Sequence, residues 1–557
     1  MDQNTALKLL DFYKENGEID QTTYDNAHKW LTDPAYKAYR DDIHAMLRPL
    51  PLIDAFYQTI PFGTGGRRGK MYPIGSNAIN DRTIGESAQG LANYIKETLG
   101  EGADLSCALC RDTRHNGERF SRLCAEIMVA AGFKVYVLQG YRSTPELSFA
   151  VRYKNCSTGI MVTASHNPPS DNAVKVYWST GGQVLPPHDK AIIDRVMNCQ
   201  EIVRYDFDKA VAEGKIEFCE QEVDRAFIEN VAAQGRPGSR DLKVLYSPLH
   251  GVGATAVVPA LEKDGFADVE VFGPHAEPSG DFPNVPGHVS NPERAVVFDA
   301  MIEHARANGQ DLCVATDPDC DRIGLAAPLL LGGSEWKTLT GNQIASLLCD
   351  YLVETYPGAL TREHYVVQTL VTTQMVRRIA DSYGARCIGD LLVGFKWIAG
   401  VMDEVGPERF LFGCEESHGY LTGTYARDKD GAVASMLACE LAAKLKSQGK
   451  SLHEKLDDLF WQHGCHVDRL VNVEMPGSEG MAEMKKVMQA FRTQPPTEVG
   501  GLAVSQARDY LQNKVVRSDG DSQPLEGPTG DLVILDTAEE GNYVACRPSG
   551  TEPKIKF

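Results

Sequence analysis

The sequence predicts an α/β protein: three similar α/β units in series, then a smaller α+β terminal domain. Three observations predict it. From residue 102 onward, short apolar runs ending in polar turns alternate with helical segments, which implies parallel α/β layering. The alternation recurs three times, and from about 466 the pattern shifts to separate strands and one amphipathic helix. At roughly 150 residues per domain, 557 residues suit three or four domains.

The elements follow in order. Over residues 1–58, Leu7, Leu10 and Tyr13, then Trp30, Tyr36 and Tyr39, recur at roughly helical spacings with Gly17 as a stop, so an N-terminal helical extension is expected. The first α/β domain, 59–215, has strands at DLSCALCRD, FKVYVLQG and STGIMVTAS, with helices at FSRLCAEIMVAAG and TPELSFAVRY between them. LKVLYSPLH, ADVEVFG and DLCVATDPD, with the helix GATAVVPALEKDG, make the second, 216–335. YVVQTLVTTQMVRRIADSYG and ARCIGDLLVGFKWIAGVM make the third, 336–460. The terminal domain, 461–557, contains VDRLVNVEM, EMKKVMQAFRTQ and final strands at DLVILDT and YVACRPSG. The Gly/Pro-rich segment 273–293 lies inside a strand–helix unit, so it reads as an ordered loop rather than a linker.

Composition narrows the function. Hydrophobic residues at 43% and charged residues at 24% describe a folded globular chain. With 56 Lys plus Arg against 76 Asp plus Glu, the net charge of −20 repels nucleic acid, anionic lipid and phosphorylated metabolites alike, so an anionic substrate needs a local cationic site. The opening MDQNTALKLL lacks the basic start of a signal peptide, and the most apolar stretch, 432–445, is short and carries Glu440. A cytoplasmic protein without membrane or nucleic-acid partners is expected. Fourteen cysteines without a repeated spacing do not form a secreted disulfide framework. The one CxxC, Cys107 and Cys110, falls on a predicted strand whose i and i+3 positions face opposite ways, so buried thiols are expected rather than a metal site.

Five segments carry chemistry. Thr163-Ala164-Ser165-His166-Asn167-Pro168 follows the strand GIMV, where open α/β sheets bind ligands; Ser165 is a candidate nucleophile, and a capped turn closed by Asn-Pro is the alternative. No G-x-S-x-G surrounds it. Asp317-Pro318-Asp319-Cys320-Asp321-Arg322 follows LCVAT. Its three carboxylates would repel by about 1 to 4 kcal/mol per pair at 4 Å without a cation, so a magnesium site is favoured over a solvated acidic loop. An EF-hand fails because Arg322 and Pro328 stand where Gly and Glu belong; a haloacid-dehalogenase-type aspartyl nucleophile at Asp317 stays open, although Asp321 stands where that signature wants Thr or Val. Gly413-Cys414-Glu415-Glu416-Ser417-His418-Gly419 offers either sugar contacts or a helix cap. Arg547-Pro548-Ser549-Gly550-Thr551-Glu552-Pro553 combines a guanidinium, hydroxyls and backbone donors into a phosphate cradle. Gly63-Thr64-Gly65-Gly66-Arg67-Arg68-Gly69 reads as a flexible loop with two cations, not a Walker A.

In this order the motifs GTGGRRG, SHNP, DPDCDR, CEESHG and RPSGTEP resemble those of the α-D-phosphohexomutase superfamily, specifically its longer phosphoglucomutase-like branch, from about residue 30 to the last. The resemblance implies a heart-shaped, four-domain phosphosugar mutase with a central cleft, a monomer or dimer acting on small phosphosugars. It implies interconversion of aldose 1-phosphate and 6-phosphate, glucose first, with Mg2+ as cofactor and a bisphosphate such as glucose 1,6-bisphosphate as activator. By the same resemblance Ser165 is the phosphorylated serine and a metal ligand with Asp317, Asp319 and Asp321. Arg68, Lys175 and Arg322 are cations near the transferring phosphoryl group, and Lys396 in VGFKW is a candidate acid–base or substrate contact. Glu415 and Ser417 grip the sugar, and Arg547, Ser549, Gly550 and Thr551 hold the other phosphate. Phosphomannomutase, phosphopentomutase, sugar-bisphosphate synthase and a silent sugar-phosphate-binding protein share this scaffold. His418-Gly419 departs from relatives beside the sugar contacts, and the end at Phe557, within KIKF, leads us to expect a truncated or unusually short terminal domain.

Overall fold

The computed structural model describes residues 2–63, 65–475, 477–549 and 554–557. The N-terminal extension is helical: Gln3–Glu15, Gln21–Thr32, Arg40–Met46 and Pro49–Phe56 pack around Trp30, Tyr36 and Phe56. The first helix stops where Gly17 takes φ +70°, a conformation glycine adopts without steric cost.

Each of the next three units is a sheet with helices against it. The first sheet runs, edge to edge, Gly66–Lys70, Asp171–Trp178, Thr158–Val162, Ser106–Arg111, Lys134–Val137, Ile216–Phe218. The second runs Trp336–Leu339, Ile323–Pro328, Leu312–Thr316, Val244–Ser247, Val269–Val271. The third runs Arg386–Leu391, Tyr365–Thr369, Phe410–Glu415, Gly419–Leu421. The fourth unit is an antiparallel sheet backed by the helix Gly477–Thr493, and it seats Lys554–Lys556 between Asn472–Glu474 and Tyr543–Pro548.

Three expectations change. The layering is mixed rather than parallel: the strand order is parallel inside the first three sheets, but one side of each closes with antiparallel strands. The boundaries expected at 215 and 335 fall later, because Ile216–Phe218 joins the first sheet and Trp336–Leu339 the second. The GTGGRRG segment is not a loop with two free cations. Gly66–Lys70 is an edge strand, and Arg67 is buried on Glu86 at 2.8 Å.

The antiparallel returns matter for function. The serine motif joins Thr158–Val162 to Asp171–Trp178, and the acidic motif joins Leu312–Thr316 to Ile323–Pro328. The glutamate motif joins Phe410–Glu415 to Gly419–Leu421, and the RPSGTEP segment joins Tyr543–Pro548 to Lys554–Lys556. Four of the five chemical motifs therefore lie where one strand returns antiparallel to its neighbour.

The apolar run 432–445 lies in the buried helix Gly431–Ser447, packed between the second and third units. Its Glu440 is accommodated by Arg240 at 2.5 Å, the Tyr351 hydroxyl at 3.0 Å and the Arg236 amide at 2.8 Å. All fourteen cysteines are free thiols, and Cys107 and Cys110 enter different core clusters from opposite faces of one strand. Among the described residues no helix is long and apolar enough to cross a membrane.

Candidate active site

Ser165 sits just past a fully buried strand, with φ +51°. For an L-residue this left-handed conformation costs roughly 1–2 kcal/mol. The loop holds it there: the Thr163 hydroxyl accepts the Ser165 amide at 2.8 Å. The turn also makes sequence neighbours converge, so Ser165 Oγ lies 3.2 Å from His166 Nδ1, where an extended chain would point the two apart.

The acidic loop faces it. Ser165 Oγ donates to Asp317 Oδ2 at 2.7 Å, and Asp317 Oδ1 accepts the amides of Asp321 and Arg322, each at 3.0 Å. Asp319 Oδ2 accepts from the Thr144 hydroxyl and from Lys175 Nζ, both at 2.7 Å. Asp321 Oδ2 meets Lys429 Nζ at 2.8 Å and Lys175 Nζ at 3.4 Å. Arg322 is ion-paired with Glu293. Burial and the neighbouring Asp319 and Asp321 push the Asp317 carboxyl far up, whereas at Asp319 the Lys175 ammonium outweighs burial and holds the group below the usual carboxylate range.

These residues fit a hard divalent cation. One oxygen from each aspartate lies within 4.8 Å of the others, and Asp319 Oδ1 and Asp321 Oδ1 are buried without a hydrogen-bond partner. Two orphaned carboxylate oxygens beside an acid that burial drives toward neutrality are what a bound cation relieves.

A cleft of about 1630 Å³ opens beside this cluster, lined from all four units by His166 and Asn167, Glu293, Glu416 and His418, and Arg547 and Lys556. Ser165 is only 2% exposed, and it is the next residues, His166 and Asn167, that line the cleft. Across the cleft Arg547 donates to Glu416 at 3.0 Å. His418 Nδ1 donates to the Ile323 carbonyl at 2.8 Å, tying the third unit's loop to the strand that follows the acidic loop.

Models of three phosphoglucomutase/phosphomannomutase domains match the chain in sequence: alpha/beta/alpha domain I over residues 59–202, domain II over 225–329 and domain III over 340–462. A phosphoglucomutase of Staphylococcus epidermidis is 32% identical over 504 residues, 90% of each chain. The chain belongs to the phosphoglucomutase/phosphomannomutase family. A probable phosphomannomutase of Haemophilus influenzae is 34% identical over 488 residues, 86% of this chain and 92% of that one. The crystal structure of a putative phosphomannomutase from Thermus thermophilus shares the fold, with a TM-score of 0.63 at 22% identity over 90% of this chain and 94% of the other. This is an α-D-phosphohexomutase, an enzyme of the phosphotransferase mutase type.

Within this family member, the structure brings Ser165, Asp317, Asp319, Asp321, Lys175 and Arg322 into one cluster. Arg68 reaches its edge by donating to Asn167 Oδ1 at 3.2 Å. Glu415 is buried and accepts the Gly394 amide at 2.8 Å, so it faces the GFK turn, and burial raises its carboxyl against the pull of Lys429. Ser417 is buried beside it in sequence. Lys396 turns elsewhere: its ammonium, whose pKa burial lowers, lies 3.7 Å from Asp189, and none of its described contacts reaches Asp317, Asp319 or Asp321. Ser549 closes its turn by donating its amide to the Lys554 carbonyl at 2.8 Å, while Gly550 and Thr551 lie outside the described residues.

Sequence reasoning missed Lys429, Thr144 and Glu293, and it quoted Glu416 within its motif without giving it a role of its own. Lys429 had a signal, since RDKDG alternates charge directly before an apolar helix. Thr144 and Glu293 are far in sequence from every motif and are recruited by the fold alone.

Proposed function

We propose that the chain interconverts aldose 1-phosphates and 6-phosphates, glucose first, through a phosphoserine at Ser165 and a bisphosphorylated sugar intermediate. Phosphoserine 165 meets the 6-hydroxyl of an aldose 1-phosphate. The P–Oγ bond breaks, a P–O6 bond forms, the hydroxyl proton passes to a base in the cleft and Ser165 Oγ leaves with the electron pair. After the bisphosphate turns over, the 1-phosphate returns to Oγ and the aldose 6-phosphate is released. Asp317, Asp319 and Asp321, with an oxygen of the phosphoserine, would hold Mg2+, which when bound neutralises charge on the transferring group.

The single observation that carries this reading is the 2.7 Å hydrogen bond from Ser165 Oγ to Asp317, one of three clustered aspartates. It sets a nucleophilic hydroxyl against a hard-cation site, with Lys175 and Lys429 on the same carboxylates. Arg547, Ser549, Gly550 and Thr551 would grip the phosphate that does not react, and Glu415 and Ser417 the sugar. A panel of aldose 1-phosphates assayed beside intact mass spectrometry tests it. Turnover of glucose 1-phosphate with one phosphoryl group on Ser165 is expected. Turnover without phosphoserine, or a hydroxylamine-labile phosphoaspartate at Asp317, would refute it.

A further inference from the structure

The turn Asp112–Asn116 belongs to none of the five chemical motifs, yet it holds the serine loop from beneath. The Arg114 guanidinium, fully buried, donates to four backbone carbonyls of that loop: Ser165 at 2.6 Å, Pro168 at 2.7 Å, Asp171 at 2.9 Å and Asn167. Asp112 accepts the Arg114 amide at 2.9 Å and the Thr163 hydroxyl at 2.5 Å, and Thr163 in turn receives the Ser165 amide. One side chain therefore ties down the carbonyl of the strained serine, at φ +51°, and three carbonyls after it, while Asp112 holds the residue two positions before it through Thr163.

The same guanidinium faces the second unit. It lies 5.2 Å from the Phe282 ring centroid, in the Gly/Pro-rich loop 273–293. Phe282 is fully buried and holds φ +47°, an outlier for a bulky aromatic residue. Around it Thr113 donates to the His250 carbonyl at 3.0 Å, and His115 Nε2 pairs with Asp281 at 2.7 Å. A side chain on Gly280 would lie 2.7 Å from the His115 amide, so the two turns are in close contact.

We propose that Arg114 is a positioning residue for the phosphoryl-carrying serine: it fixes the left-handed conformation of Ser165 and, through Phe282, makes that conformation depend on the docked loop of the second unit. It touches no substrate. This inference rests on the phosphoserine reading. A fork of donors converging on four carbonyls is a task a lysine cannot perform, since its ammonium is a single point charge on a flexible stem. Misplacing a reacting atom by about 1 Å is enough to cost about a hundredfold in rate.

The test compares the parent with Arg114→Lys, Arg114→Ala and Phe282→Leu. Arg114→Ala should lose about a hundredfold in kcat with KM within a few-fold, and free guanidinium below denaturing concentration should restore at least part of it. Arg114→Lys should fall nearly as far despite its charge. Phe282→Leu, the mildest change, should show a smaller loss in kcat. By mass spectrometry, amide hydrogen exchange over 163–171 should rise in all three, a readout that does not depend on turnover. Unchanged kcat and exchange in Arg114→Lys would overturn the inference, as would a loss confined to KM or no guanidinium rescue in a folded Arg114→Ala. If the parent carries no phosphoserine and Ser165→Ala keeps turnover, both readings fall. A phosphorylated, Ser165-dependent parent beside an unaffected Arg114→Lys sinks this inference alone.

Discussion

At Ser165 a hydroxyl that the sequence marks by its place after an apolar strand and in the SHNP motif meets a partner, Asp317, 152 positions away in the chain. Ser165→Ala should abolish mutase turnover while sugar-phosphate binding largely survives, because the phosphoryl carrier is lost and the cationic cleft remains. Steady-state assays with equilibrium binding check this; turnover within about tenfold of the parent would contradict it. At Arg547 the expectation differs. The guanidinium faces the cleft against Glu416, and Arg547→Lys keeps the charge but loses the fork. A charge-assisted hydrogen bond is worth about 1.5 to 3 kcal/mol, so kcat/KM should fall roughly ten- to a hundredfold, mainly through KM. The loss should shrink for an unphosphorylated sugar accepting from phosphoserine 165, and an equal loss with both substrates would place Arg547 elsewhere.

Among elements, the strands that feed each motif were legible because they are continuous apolar runs such as GIMV and LCVAT. Their antiparallel returns were not. Gly419–Leu421 has three residues, and Gly66–Lys70 is a polar edge strand of glycine, arginine and lysine that no hydrophobic period reveals. Nor could spacing show that Arg67 would be spent on Glu86 while Arg68 turns to the serine loop. The loop 273–293 reads correctly as ordered, and the structure shows one reason. His275 Nδ1 pairs with Ser247 Oγ at 2.9 Å, and Nε2 with the Asn284 carbonyl at 3.3 Å, an arrangement that suits the neutral ring. Burial lowers its pKa from 6.5 to about 4. The unfolded chain therefore takes up the proton first as pH falls below 6.5, and this contribution to stability is lost progressively toward pH 4. Urea midpoints at about pH 7 and about pH 5, on either side of the ordinary histidine pKa, should show a smaller decline in His275→Asn than in the parent. Identical declines would remove His275 from the account.

Over the whole molecule, a net charge of −20 surrounds a cleft into which cations are folded from several units. Lys175 and Thr144 from the first unit and Lys429 from the third all converge on aspartates of the second. The aspartate cluster itself was legible, as three carboxylates at i, i+2 and i+4 after a strand; the side chains that complete it were not, because only tertiary packing brings them there. Divalent cation should raise the thermal midpoint by relieving the buried carboxylates, and Asp319→Asn should blunt that rise. Excess chelator should stop the reaction and magnesium restore it; full activity in chelator would contradict the assignment. The most direct test of the central claim is peptide-level mass spectrometry of the enzyme during turnover of glucose 1-phosphate with a trace of glucose 1,6-bisphosphate. One exchangeable phosphoryl group on Ser165, absent from the Ser165→Ala protein, is the predicted result. Turnover with Ser165 unmodified throughout, or with the phosphoryl group on Asp317, would contradict it.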